Sequence, residues 1–160
     1  MTGFVLAHEP LIRMGFFFGV FALVALWELA SPRRIRLLTR RQRWTANLGI
    51  VLLNTVIVRV LFPTAAVGMA ALSAERGWGL LNNFELPFWL ALALAVVAMD
   101  FVIWLQHVMV HAVPALWRLH RVHHADLDYD LTTGTRFHPL EIVLSMGIKF
   151  ATITLLGGDL

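Results

Sequence analysis

Apolar stretches long enough to cross a bilayer constrain this chain before any other feature. Four can be marked, at residues 11–30, 45–72, 87–106 and 139–156. A hydrocarbon layer about 30 Å thick takes about 20 apolar residues of helix, and only a backbone that satisfies its own hydrogen bonds tolerates lipid. Composition agrees. Hydrophobic residues make up 59% of the 160 residues, charged residues 14%, and the mean hydropathy is +0.74. A soluble domain of this length has no use for so much apolar surface. The expected fold is all-α, an integral-membrane, multi-pass transmembrane helical bundle of about four spans. It forms a single membrane domain over residues 1–160, with short cytosolic-face helices between the third and fourth spans.

The connections give the expected direction. Ser31-Pro32 ends the first span, because proline cannot continue the helical ladder. Glu28 lies near that end, within reach of the interface. No small-residue cleavage site follows this run, so it reads as a retained span, and His8 before it reads as an exposed tail residue. Arg33, Arg34, Arg36, Arg40, Arg41 and Arg43 crowd the next loop, a positive-inside signal that puts it on the cytoplasmic side. The same arginines suit docking of lipid headgroups or of a donor protein. The net charge of +3 is too small to argue for nucleic acid. In the second span Asn47, Asn54 and Arg59 are polar. Arg59 is expected to face inward, and Pro63 to kink the helix just after it. Residues 73–86 read as a loop on the outer side.

Six of the seven histidines fall between Asp100 and Glu141. His107 and His111 are spaced i, i+4, and His120, His123 and His124 are spaced i, i+3, i+4, so each group shares one helix face. Pro114 sits in the link between them, where it starts a second short helix at low cost. Neutral imidazole is the commonest side-chain metal ligand, and a pair at i, i+4 closes on an ion without moving the backbone. A solitary histidine near a membrane face is ordinarily solvated or satisfied. Five in 18 residues, in helical phase, point to metal. Five exceed the needs of one four-coordinate ion, which suggests two ions or one ion with supporting groups. With no cysteine in the chain, zinc-finger and iron–sulfur sites of thiolate type are excluded.

With these residues the chain resembles the fatty acid hydroxylase / sterol desaturase superfamily of membrane histidine-box dimetal oxidoreductases. His107 and His111 match its H-x-x-x-H box, and His120, His123 and His124 its H-x-x-H-H box. The run A-L-W-R-L-H-R-V-H-H and the later T-x-R-F-H-P-L-E from Thr135 to Glu141 look like the sterol desaturase branch. The superfamily's third and fourth histidine groups are not found up to Leu160, so these residues look like the N-terminal portion of such an enzyme. The resemblance implies His107, His111, His120, His123, His124 and His138 as metal ligands. His138 is open between ligating and capping the helix that Pro139 starts. The resemblance also implies two iron ions, with zinc an alternative as the bound species, and O2. The reaction would be hydroxylation or desaturation of a membrane lipid at the cytoplasmic face, with electrons from a cytochrome b5-like or ferredoxin-type protein. The other reading is an inactive truncated fragment or a non-catalytic membrane metal-binding protein.

Remaining polar residues complete the expectations. Asp100 either hydrogen-bonds and orients a metal-ligating histidine or pairs with Arg59. Trp104 reads as packing. Asp126, Asp128 and Asp130 lack the glycine and terminal glutamate of a calcium loop and read as a solvated turn, with one carboxylate available to support the histidines. Bis-histidine haem fits poorly with H-x-x-H-H, a zinc hydrolase lacks H-E-x-x-H, and no glycine-rich fingerprint for a nicotinamide is present.

Overall fold

The computed structural model describes residues 2–32, 37–64 and 66–157, with the side chains of 2–6 and 9 left aside. Arg33, Arg34 and Arg36 of the basic loop, and Gly158-Asp159 after the last span, lie outside the described residues.

Six α-helices and two short 3-10 turns make up the regular structure, and no strand occurs among the described residues. Helix α1 covers Thr2–Ala30, α2 Arg40–Leu61, α3 Ala66–Glu75, α4 Phe88–Ala112, α5 Pro114–His124 and α6 Pro139–Leu156. Four stretches are long and apolar enough to cross a membrane: Pro10–Ala30, Arg40–Glu75, Phe88–Ala112 and Pro139–Leu156. The chain is all-α with about four spans.

Local chemistry sets the boundaries. Thr39 caps α2: its Oγ1 accepts from the Gln42 amide while the Gln42 side chain accepts from the Thr39 amide, a reciprocal capping box. The second span is divided rather than merely kinked. Phe62, at φ −129° and ψ 75°, leaves the helix before Pro63, which disfavours helical geometry in the residue preceding it. The first helix begins at Thr2, so His8 lies within α1 rather than in a tail, and it is half-buried. Arg59 is exposed instead of facing inward. The buried positions of α2 are Arg43, Asn47 and Asn54, and Arg59 lies off that stripe.

Burial runs opposite to that of a soluble protein. Phe16 is 73% exposed, Trp27 69% and Leu155 71%, whereas Arg43, Asn47, Ser73, His120, Thr132 and Thr133 are buried. Apolar side chains facing outward suit a lipid solvent, and polar groups turn inward to find partners.

α6 packs on α2, α3, α4 and α5, and α4 packs on α5. The end of the molecule holding residues 107–141 is joined by polar side chains. Arg43 places its guanidinium between Asp126 and Asp130, at 2.8 Å from each, with all three side chains almost fully buried. Trp44 Nε1 also donates to Asp130 at 3.1 Å, and Asn47 donates to Asp126 and Thr132 at 3.1 and 2.9 Å. Asp128 accepts from the amides of Leu37 and Leu38, and Glu28 of α1 accepts from the amide of Leu131. Asp126 and Asp130 are therefore buried rather than part of a solvated turn, Asp128 is tied to the Leu37 and Leu38 amides at the surface, and Arg43 is not a solvated basic residue. They bind the loop after α5 to the start of α2. At the opposite end the backbones of Gly79 and Gly157 cross so closely that a Cβ on Gly79 would overlap the Gly157 backbone, and Leu80 donates to Leu155 O at 2.8 Å.

Candidate metal centre

α4 extends without interruption through both histidines of the first box, so His107 and His111 stack one turn apart with ring centroids separated by 4.9 Å. Val113 then leaves the helix at φ −93°, ψ 117°, as expected of a residue before proline, and Pro114 starts α5 at its first turn. The bend brings α5 back against α4. His120 lies 5.0 Å from the His107 ring and 4.7 Å from the His111 ring. Ligand-capable nitrogens of His107, His111 and His120 all lie within 4.8 Å of one another.

His123 and His124 border this group. The His124 ring is 5.0 Å from those of His111 and His120, and the His123 ring is 5.4 Å from His120. Two aromatic side chains fix the rings. Trp117 packs on His111 and His124 at 5.4 and 5.5 Å, and Phe137 stacks on His123 at 4.8 Å with an interplanar angle of 1°. The stack depends on Phe137, whose carbonyl accepts from Asn54 Nδ2 at 2.9 Å. The second span thereby helps to hold the second histidine box.

His120 carries the chemistry of the site. It is fully buried, and its Nδ1 lies 2.7 Å from Glu141 Oε1 at the start of α6. Burial works against a charge on the Glu141 carboxyl, and the surrounding histidines work for it. With that carboxyl ionised it only accepts, so Nδ1 carries the proton and Nε2 presents a lone pair. That Nε2 is buried and has no hydrogen-bond partner, as are His123 Nδ1 and Glu141 Oε2. Burial holds the His120 imidazole below its ordinary pKa, reinforced by the neighbouring rings of His111 and His123. Burial acts on His124 in the same direction, reinforced first by His123 and His120. Both rings are thus kept in the neutral form that ligates metal.

His138 is placed differently. It is the N-cap of α6, and its Nδ1 accepts from the Leu140 amide at 3.1 Å. With that lone pair engaged, the neutral ring carries its proton on Nε2, so in this geometry His138 caps and does not present a ligating nitrogen. Asp100 also stands apart: it lines a cavity between α3, α4 and α6. The carboxylate that orients a histidine is Glu141. No spacing rule singles it out, since it lies 21 residues from His120 and reads locally as a favourable acid in the first turn of a helix.

His107, His111 and His120, with Nδ1 of His120 beside a carboxylate and its Nε2 buried without a partner, are a group that could hold a metal ion. Residues 92–160 match the family of fatty acid hydroxylases. The matched segment is similar to a fatty acid hydroxylase domain. Both histidine boxes, Glu141 and all of α6 fall within the matched segment, which also takes in most of α4. No curated protein and no solved structure matches the chain.

Proposed function

We propose that the matched segment is the ligand-bearing part of a lipid oxidoreductase that hydroxylates or desaturates a membrane lipid with two iron ions and O2. The observation that carries this reading is the buried Nε2 of His120, bare of protein partners while its Nδ1 is held by Glu141. A buried polar atom left unpaired costs about 1–3 kcal/mol, so a set of them at one spot is retained for a ligand.

Nitrogen donors without thiolate suit iron, and zinc is an alternative occupant. His107, His111 and His120 would hold one ion. His123 and His124 extend the donor set towards a second, and His138 would join only by giving up its cap. Iron bound in this way supplies activation of O2 for attack on an aliphatic C–H bond. The chain's own residues do the remainder. Glu141 keeps the proton on Nδ1 of His120 and so keeps Nε2 directed at the centre. Trp117 and Phe137 fix ring orientation. Apolar α4 above the histidines offers a route by which an alkyl chain arrives from the bilayer without water. The arginines around Arg40 and Arg41 support a cytoplasmic face for the centre, where a cytochrome b5-like or ferredoxin-type protein would deliver electrons. Nucleic acid plays no part.

A second reading, a non-catalytic membrane metal-binding protein, is favoured by one specific observation. Three ligand nitrogens converge within 4.8 Å, enough for one ion, and His107 and His111 are exposed. Metal content tests both. Purified in mild detergent, the chain is expected to carry iron or zinc, with close to two ions per polypeptide for the oxygenase and one for the binding protein. The His120→Ala, His123→Ala variant should lose the metal yet still insert in membranes. Full stoichiometry in that variant would sink the histidine cage, and metal without lipid oxidation in the presence of reductant and O2 would favour the second reading.

A further inference from the structure

The cavity between α3, α4 and α6 measures about 380 Å³, and Ala70, Leu92, Val96, Met99, Ile103 and Ile153 form much of its apolar wall. That size falls within the range of small-molecule sites, which are mainly apolar with a few placed polar groups. Two polar side chains interrupt the lining, Ser73 and Asp100. Ser73 is fully buried, and its Oγ has no hydrogen-bond partner. Asp100 forms no hydrogen bond or ion pair among the described residues. Either group unpaired in an apolar surround is costly. On the flank where Val96, Asp100 and Ile103 are exposed, the cavity opens sideways to whatever surrounds the helices. Its lower wall leads to the histidines: Ile103 stands one turn, about 6 Å along the axis, from His107, and Asp100 two turns, about 10 Å.

We propose that this cavity is a binding site for a neutral lipid bearing a hydroxyl, its apolar body lying along α4 and its hydroxyl donating to Asp100. A carboxyl oxygen accepts a hydrogen bond from a hydroxyl, whereas a free fatty acid carboxylate has no proton to donate and is the wrong head group here. An unsubstituted hydrocarbon would fill the volume and leave both Ser73 and Asp100 unpaired. A hydroxyl satisfies Asp100 without bringing a charge into an apolar cavity. Binding does not require metal. That the occupant is also the substrate of the histidine centre rests on the function proposed above.

The test uses the chain stripped of metal by chelator, in mild detergent, with radiolabelled 1-tetradecanol, tetradecane, tetradecanoate and tetradecylamine. The alcohol is expected to bind about tenfold more tightly than the alkane or the acid, the strength of one hydrogen bond. Asp100→Leu should bring the alcohol down to the level of the alkane, and Ser73→Ala should weaken it by a smaller factor. Because the chain is free of metal in this test, failure of the metal reading leaves this result standing. Equal binding of alcohol and alkane, tighter binding of the amine, or unchanged alcohol binding in Asp100→Leu would each overturn the proposal. Asp100 is exposed, so its replacement does not disturb a packed interior.

Discussion

Two polar clusters lie at the same end of this molecule, and they differ in one respect. Around Arg43, the buried guanidinium, carboxylates, amide and hydroxyls find one another: Arg43 with Asp126, Asp130 and Thr133, Asn47 with Asp126 and Thr132, Thr132 with Asp130. Around His120, buried atoms are left over: His120 Nε2, His123 Nδ1 and Glu141 Oε2. A satisfied network rigidifies a fold, and an unsatisfied one of this density is kept for a ligand. The first cluster holds α2 against the loop that follows α5, and so holds still the helices that present the second.

The comparison can be broken from either side. The largest expected effect is at Arg43. Arg43→Ala would leave two buried carboxylates without their cation, a loss of about 3–5 kcal/mol. Unfolding in detergent should show it, together with reduced metal content as the histidine helices lose their support. Unchanged stability would mean that the network is not the brace described here. Next is Glu141→Gln, which retains a hydrogen bond to His120 but not the charge that strengthens Nε2 as a ligand. Metal affinity should fall about 10–100-fold with helical content unaltered, and affinity equal to that of the unmodified chain would remove Glu141 from the site. Smaller still is Asn54→Ala, which frees the Phe137 carbonyl that accepts from it. It should cost about 1 kcal/mol and loosen the ring stacked on His123, seen as a modest rise in metal dissociation rate.

The last prediction concerns pH and bears on the satisfied cluster. Burial by itself would push the Asp130 carboxyl up. Hydrogen bonds from the Thr132 side chain and backbone and from Trp44, with the charge of Arg43, outweigh it and hold the carboxyl below its ordinary value. A group depressed in the folded state stabilises fully above its unfolded pKa, about 3.9, and that contribution is lost as pH falls through the folded value. Resistance to proteolysis in the loop at 126–136 should therefore persist at mildly acidic pH and disappear only well below pH 4. Loss at pH 6 would place its control with the histidines instead.

The apolar spans and the spacing of the first histidine box were legible locally. α6 runs from Pro139 to Leu156, where the apolar run and its starting proline put it, and His107 and His111 stack as an i, i+4 pair must. Periodicity and length are properties of neighbouring residues, and helix geometry converts them into faces and spans without outside help. Arg43, the three aspartates, Arg59 and Glu141 were not legible in this way. Arg43 was one arginine among six in a basic loop, and nothing nearby marks it as the one that turns inward to meet Asp130, 87 residues further on. Asp100 was open between orienting a histidine and pairing with Arg59, and it does neither among the described residues: it lines a different cavity.

By itself, then, the sequence determined that this is an all-α chain with about four apolar spans and two histidine faces, because each follows from spacing along one helix. Only the tertiary structure decided which carboxylate orients His120, that His138 caps rather than faces its neighbours, and which polar residues close into a network. Those outcomes depend on the bend at Val113-Pro114 and on how α2 and α6 pack, which bring together groups far apart in the chain whose burial is tolerable only in each other's company.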